Sequence, residues 1–213
     1  IGYNMAYATI SKPSLHFNTV LYTGNDQNSR AVTGVGFQPD WVWLKNRSDT
    51  YSHQTFDRVR GTAPGALYAD LTNTEDTSYP ISSFDNDGIT LRATSHISQN
   101  GNNDIVKYTG TGSSATVGHG LGTAPAFYVV KGINKVQDWR IFHQKLGATK
   151  SMEINERNPA NTTSGNWNDT APTNSVFSLG TFTAVNESGK NYIAYCFAEK
   201  KGFSKFGSYT GNG

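Results

Sequence analysis

Charge is scarce in this sequence. Asp, Glu, Lys and Arg make up 16% of its 213 residues, against about a quarter in an ordinary globular chain. The net charge is only +2. That balance offers no counterion-release drive toward nucleic acid and no polybasic patch for an anionic membrane. Cysteine is nearly absent. Cys196 is alone, so no intrachain disulfide can staple the fold and a packed core must hold it. It sits in the apolar run "NYIAYCFAEK", where it reads as a small buried hydrophobe and not as a nucleophile. No apolar stretch approaches the roughly 18 residues needed to cross a bilayer. The opening "IGYNMAYATISK" carries no secretory-leader pattern and no initiating Met, which leaves a processed or a truncated N-terminus equally open.

Helical periodicity is also missing. In its place stand short runs rich in β-branched and aromatic residues, bounded by turn signals: "NTVLYTG", "DWVWLKN", "GALYADL", "GITLRAT", "AFYVVKG", "SVFSLG" and "NYIAYCFAE". This pattern predicts an all-β protein of antiparallel β-sandwich type, jelly-roll or lectin-like, with long polar loops. In "DWVWLK", Trp41 and Trp43 go to one face while Val42 and Leu44 go to the other. With large apolar groups on both faces, this strand is expected to be central or to lie under a second layer. "FDNDGITL" reads as a hairpin turning at Asn86-Asp87-Gly88. A calcium loop is the poorer reading of "SFDNDG", because Ser83 and Thr94 stand where acids are needed.

The phrase Tyr-Thr-Gly occurs at Tyr22, Tyr108 and Tyr209. A shift of 86 residues carries Gly34 onto Gly120, Gly36 onto Gly122, Pro39 onto Pro125 and Lys45 onto Lys131. It also carries Phe56 onto Phe142 and Gly61 onto Gly147. Further along the shift becomes 88, and Leu91 meets Leu179. The chain therefore reads as two copies of one unit. The expected organisation is an N-terminal arm (1–15), a first sandwich (16–107), a second (108–202) and a terminal strand opening a third unit (203–213). The second copy is longer by 13 residues in the neighbourhood of "YIAYCFAEKKGF". The shared positions are Gly, Pro, Tyr, Thr, Phe and Lys. Asp40 meets Ala126 and Asp57 meets His143, so the acids do not match and the common part reads as architecture.

Few residues point to chemistry. His16, His53, His96, His119 and His143 lack metal-ligand spacing, no nucleophile elbow or zinc-protease helix occurs, and no cofactor is implied. Asp49, Asp57, Glu153 and Glu156 are the nearest approach to a catalytic carboxylate pair. The long polar stretch from Asn155 to Thr173 reads as an extended loop anchored by Trp167. In it Asn166, Trp167, Asn168 and Asp169 could stack on and hydrogen-bond a saccharide. The competing reading, that Trp167 pins its loop onto the sandwich, is the stronger. The closing "GFSKFGSYTGNG" reads as an assembly strand through Phe203, Phe206 and Tyr209.

The phrases "FNTVLYTGN", "VGFQPDWVWLKNR", "LGATK", "WNDTAPTNSVFSLG", "YIAYCFAE" and "GFSKFGSYTGNG" resemble a repeat unit of bacteriophage virion proteins, notably tail-fibre and structural proteins of marine and cyanobacterial phages. The resemblance spans nearly the whole chain from His16 onward. It implies a β-sandwich module strung in tandem on the particle surface and assembled in the host cytoplasm. The implied duty is structural or in host attachment, without catalytic residues. An open strand edge is expected to join other copies or other virion proteins by strand addition. The alternative reading is a lectin-like carbohydrate-binding module for a host-surface glycan, and behind it a depolymerase of such a glycan. In the first copy the phrase equivalent to "YIAYCF" is missing between Asn103 and Ile105. A strand from a partner is expected to fill that gap.

Overall fold

The computed structural model describes residues 12–22, 29–46, 50–78, 81–92, 104–201 and 204–212. The first copy contributes β1 (Arg30–Val32), β2 (Trp41–Leu44), β3 (Gln54–Asp57), β4 (Leu67–Tyr68), β5 (Ser83–Asp85) and β6 (Gly88–Leu91). The second contributes β7 (Asp104–Thr109), β8 (Ala115–Gly118), β9 (Phe127–Gly132), β10 (Arg140–His143), β11 (Lys150–Glu153) and β12 (Asn161–Thr162). After a single helical turn, α1 (Ser164–Trp167), come β13 (Val176–Leu179), a second turn, α2 (Thr183–Asn186), and β14 (Asn191–Phe197). The protein is all-β and antiparallel, as its alternating runs predict, and no sheet closes into a barrel among the described residues.

Side-chain alternation stacks the sheets. Val42, Leu44 and Phe56 point from β2 and β3 toward the sheet β1-β6-β5, where Val32, Phe84, Ile89 and Leu91 complete one core. Trp41 and Trp43 leave the opposite face of β2. They meet Val129, Ile141, Ile193 and Tyr195 of the six-stranded sheet β12-β11-β10-β9-β14-β7. That sheet turns its other face, with Tyr128, Val130, Tyr192, Ala194 and Cys196, toward β13-β8 and the two helical turns. The strand "WVWL" is apolar on both faces because it lies between two layers.

The repeat is written in the hydrogen-bond register. Trp41, Val42, Trp43 and Leu44 oppose Asp57, Phe56, Thr55 and Gln54. Phe127, Tyr128, Val129 and Val130 oppose His143, Phe142, Ile141 and Arg140, which is the same pairing displaced by 86 residues. The bond from Arg58 N to Asp40 O has its counterpart from Gln144 N to Ala126 O. Gly36 and Gly122 both have positive φ, +89° and +66°, a conformation that explains why both copies keep glycine there. The hairpin at Asn86-Asp87-Gly88 forms as expected, and Asp87 accepts from the Gly34 and Gly36 amides at 3.0 and 2.6 Å. These two bonds hold the Asp87 carboxyl below its ordinary pKa.

The copies differ where their lengths differ. β14 runs through the extra stretch of the second copy and lies between β9 and β7, with six paired residues on each side. The first copy has no such strand among its described residues, so β2 ends its sheet. Two expectations change. The stretch from 155 to 173 is not a plain loop, because it forms β12 and α1. The terminal phrase forms no strand over residues 205–212, and only an isolated bridge joins Lys200 to Ser204.

Candidate functional site

The polar stretch in which a ligand was expected turns its key side chains inward. Trp167 is 0% exposed, its ring is 4.9 Å from Tyr128, and its Nε1 donates to Lys150 O at 3.2 Å. Asn166 is equally buried and its amide donates to Ser151 Oγ at 2.7 Å. Asn168 caps α1 in a left-handed conformation, and Asp169 follows it at φ 48°. Local chemistry explains the inward turn. Thr163 Oγ1 accepts from Gly165 N to start the turn, and Gly180 lies so close that a Cβ there would sit 2.4 Å from Gly165 O. A buried indole offers no face to a sugar, so Trp167 is the anchor of its loop, the stronger of the two sequence readings, and not a stacking platform.

The assembly strand expected at the end of the chain is corrected in a similar way. Phe206 stacks on Phe127 at 5.6 Å, its amide donates to Glu199 Oε1, and its carbonyl accepts from Gln144 Nε2. It is committed to the second copy. Tyr209 is 95% exposed, and Phe203 lies outside the described residues.

Among the described residues the candidate carboxylates Asp57, Glu153 and Glu156 do not meet as a pair. Asp49 lies outside the described residues. Glu153 pairs with Arg140 across β10 and β11. Asp57 is 0% exposed and sits in a network that ties the copies together. It accepts from Arg60 Nε at 2.6 Å and from Tyr195 OH of β14 at 2.9 Å. Arg60 also donates to Glu75 Oε1 at 2.8 Å. Burial works against the Arg60 charge, but Tyr195, Asp57 and Glu75 outweigh it and raise its pKa. Burial, with Asp57 beside it, lifts the Tyr195 phenol well above its ordinary value.

More polar bonds cross the same seam. Trp139 Nε1 donates to Tyr68 O at 2.9 Å, and Lys131 Nζ donates to Thr72 O at 3.0 Å and Gln137 O at 2.9 Å. Lys131 is fully buried, and desolvation lowers its pKa to about 8. A buried ammonium on two carbonyls fixes how the layers meet, because sliding them would leave the charge unpaired.

At one end of the seam opens a cleft of about 300 Å3, lined by Trp43, His53, Ala69 and Asp70 of the first copy and by Ile154, Asn155, Glu156 and Arg157 of the second. Trp43 Nε1 donates to His53 Nδ1 at 2.9 Å, which fixes both rings. The His53 amide donates to Asp70 Oδ1 at 3.1 Å. Asn155 is held by the Trp139 amide at 2.9 Å and by Asp138 at 3.1 Å. Asp70, Glu156 and Arg157 are exposed. Among the described residues no three His, Cys, Asp or Glu side chains converge as a metal site would require.

In this loop the displacement between the copies falls to 85, since Tyr68 opposes Gln54 as Glu153 opposes Arg140. The His53 amide donates to Asp70 Oδ1 as the Trp139 amide donates to Asn155 Oδ1, so Asp70 is the counterpart of Asn155 and Leu71 that of Glu156. The cleft is thus lined by the same loop of both copies, with Asp70 from one and Glu156 from the other at positions that are not equivalent. The acids of the two copies do not match here either, since Asp70 answers to Asn155. Sequence reading had picked out Glu156 but missed Asp70, Trp43 and His53 as its neighbours.

These features define the class: an all-β protein in which one repeat unit occurs twice and the copies share a buried seam. No curated protein and no solved structure matches it significantly. The chain belongs to the family described as a domain of unknown function, DUF7483, whose model matches residues 12–104 and again residues 94–213.

Proposed function

We propose that this protein is a non-enzymatic structural subunit of a phage particle, of tail-fibre or surface-appendage type. Its two sandwich units would meet ahead of β7, whose residues 104–107 pair with β14 of the second unit, and not at 107–108. It joins copies of itself or other virion proteins by strand addition. The observation that carries this reading is the outer edge of β2. In the second copy the equivalent edge of β9 pairs with β14 over six residues, whereas β2 has no neighbour on that side among the described residues. Asp40 O accepts from Arg58 N on the inner side, so antiparallel alternation aims the Trp41 and Trp43 peptide groups outward. Such an edge is a template for a strand from another chain. The repeated unit, the weakly charged polar composition and the phage-repeat phrases support the particle setting, in which the molecule is displayed outside the cell.

The test is light scattering of the full chain with and without a peptide spanning Asn191–Phe197, which fills the equivalent place in the second copy. The expected mass is a multiple of the single chain and falls toward the single chain as peptide is added. A single-chain mass at every concentration, with no peptide bound, would overturn the reading.

A further inference from the structure

We infer that the cleft between the two copies binds a neutral saccharide. The site differs from the β2 edge, and the inference stands whether or not that edge takes a strand. Three properties of the lining converge on a sugar. The first is a fixed aromatic surface. The Trp43 ring lines the cleft and is held by His53 at 2.9 Å, so it offers an apolar face without having to be ordered on binding. The second is a pair of acceptors on opposite walls. Asp70 and Glu156 come from equivalent loops of the two copies and reach the cleft from either side of the seam. Asp70 gives Oδ1 to the His53 amide, which leaves Oδ2 for a ligand, and the Glu156 carboxylate has no protein partner among the described residues. The third is a donor, the exposed Arg157 guanidinium, which likewise has no protein partner among the described residues.

A hexose matches this set. Its C–H face covers an indole, and its vicinal hydroxyls donate to carboxylates and accept from a guanidinium. Competing ligand classes fit less well. An anion would meet two carboxylates against one guanidinium. A wholly apolar ligand would strip water from charged side chains with nothing to replace it. The volume of about 300 Å3 lies at the small end of ligand clefts, which run from about 300 to 1,000 Å3, and so suits one or two sugar rings. Cleavage is not part of the proposal. A general acid needs an apolar wall around its carboxyl, and both acids here lie on the exposed rim.

Neutral mono- and disaccharides of glucose, galactose, mannose and N-acetylglucosamine, with sialic and glucuronic acid as anionic controls, are titrated into the full chain by calorimetry. Tryptophan fluorescence follows the same titration. At least one neutral sugar is expected to bind at one site per chain and to change the emission. Asp70→Asn and Glu156→Gln each weaken that binding about tenfold, as expected for loss of one charge-assisted hydrogen bond. Both are exposed, so the variants keep the wild-type melting temperature and a loss of binding cannot be ascribed to unfolding. Trp43→Phe, which keeps a ring in the seam, weakens binding less than Trp43→Ala. Binding of the acidic sugars alone, binding untouched by both carboxylate variants, or no binding by any neutral sugar would overturn the inference. Release of reducing ends from a bound oligosaccharide would overturn the binding-only form of it.

Discussion

Asp57→Ala is expected to remove about 3–5 kcal/mol from the free energy of unfolding, the usual cost of stripping one partner from a buried ion pair. The Asp57 and Arg60 side chains are 0% and 1% exposed, so no water replaces the lost carboxylate. Glu75 keeps one bond to Arg60, but the Nε–H and the Tyr195 hydroxyl lose their acceptor. Asp57→Asn keeps an acceptor oxygen and should cost clearly less. Urea unfolding followed by circular dichroism measures both. A loss below about 1 kcal/mol for the alanine variant, the range of an exposed pair, would mean that the network does not bind the copies together.

Trp167→Ala should be comparably damaging, at about 3–5 kcal/mol, because it empties a large volume in a closed core. The indole packs edge-on against Tyr128 and Phe142 and satisfies its N–H on Lys150 O. In a chain of this size the loss corresponds to a fall in melting temperature of very roughly 6–20 °C. If Trp167 were instead a sugar platform, alanine would abolish binding and leave the melting temperature in place. Calorimetric melting of the variant separates these outcomes.

Much of the fold was legible because its signals are local. Alternation in "WVWL" reported two buried faces, and the hairpin at Asp87-Gly88 carried its own turn chemistry. The repeat was visible as shared Gly, Pro, Phe and Lys positions, and in the structure β2–β3 and β9–β10 keep one register. What could not be read lies between the copies. Asp57 looked like a solvated or catalytic acid until Arg60 and Tyr195, the latter 138 positions away, closed around it. Trp167 was placed in the right loop, yet whether its ring faces water or core depends on Gly180 and Tyr128, which only folding brings near. The cleft was invisible for the same reason: its walls come from residues 43–70 and 154–157, and its two acids, Asp70 and Glu156, do not stand at equivalent positions of the copies. Phe206 belongs to a phrase that begins a unit elsewhere, but its ring found Phe127 first.

The central claim is that two copies of one unit are fused into a single cooperative body by the Asp57–Arg60–Tyr195 network and the aromatic seam. Native-state hydrogen exchange on the full chain tests it most directly, since exchange resolves whether segments open together or apart. The account predicts that the amides of β3 in the first copy and of β9 and β14 in the second exchange through one opening, with the same free energy and the same denaturant dependence. Exchange of the β2 and β3 amides through a separate opening of lower energy, while β9 and β14 stay protected, would contradict it.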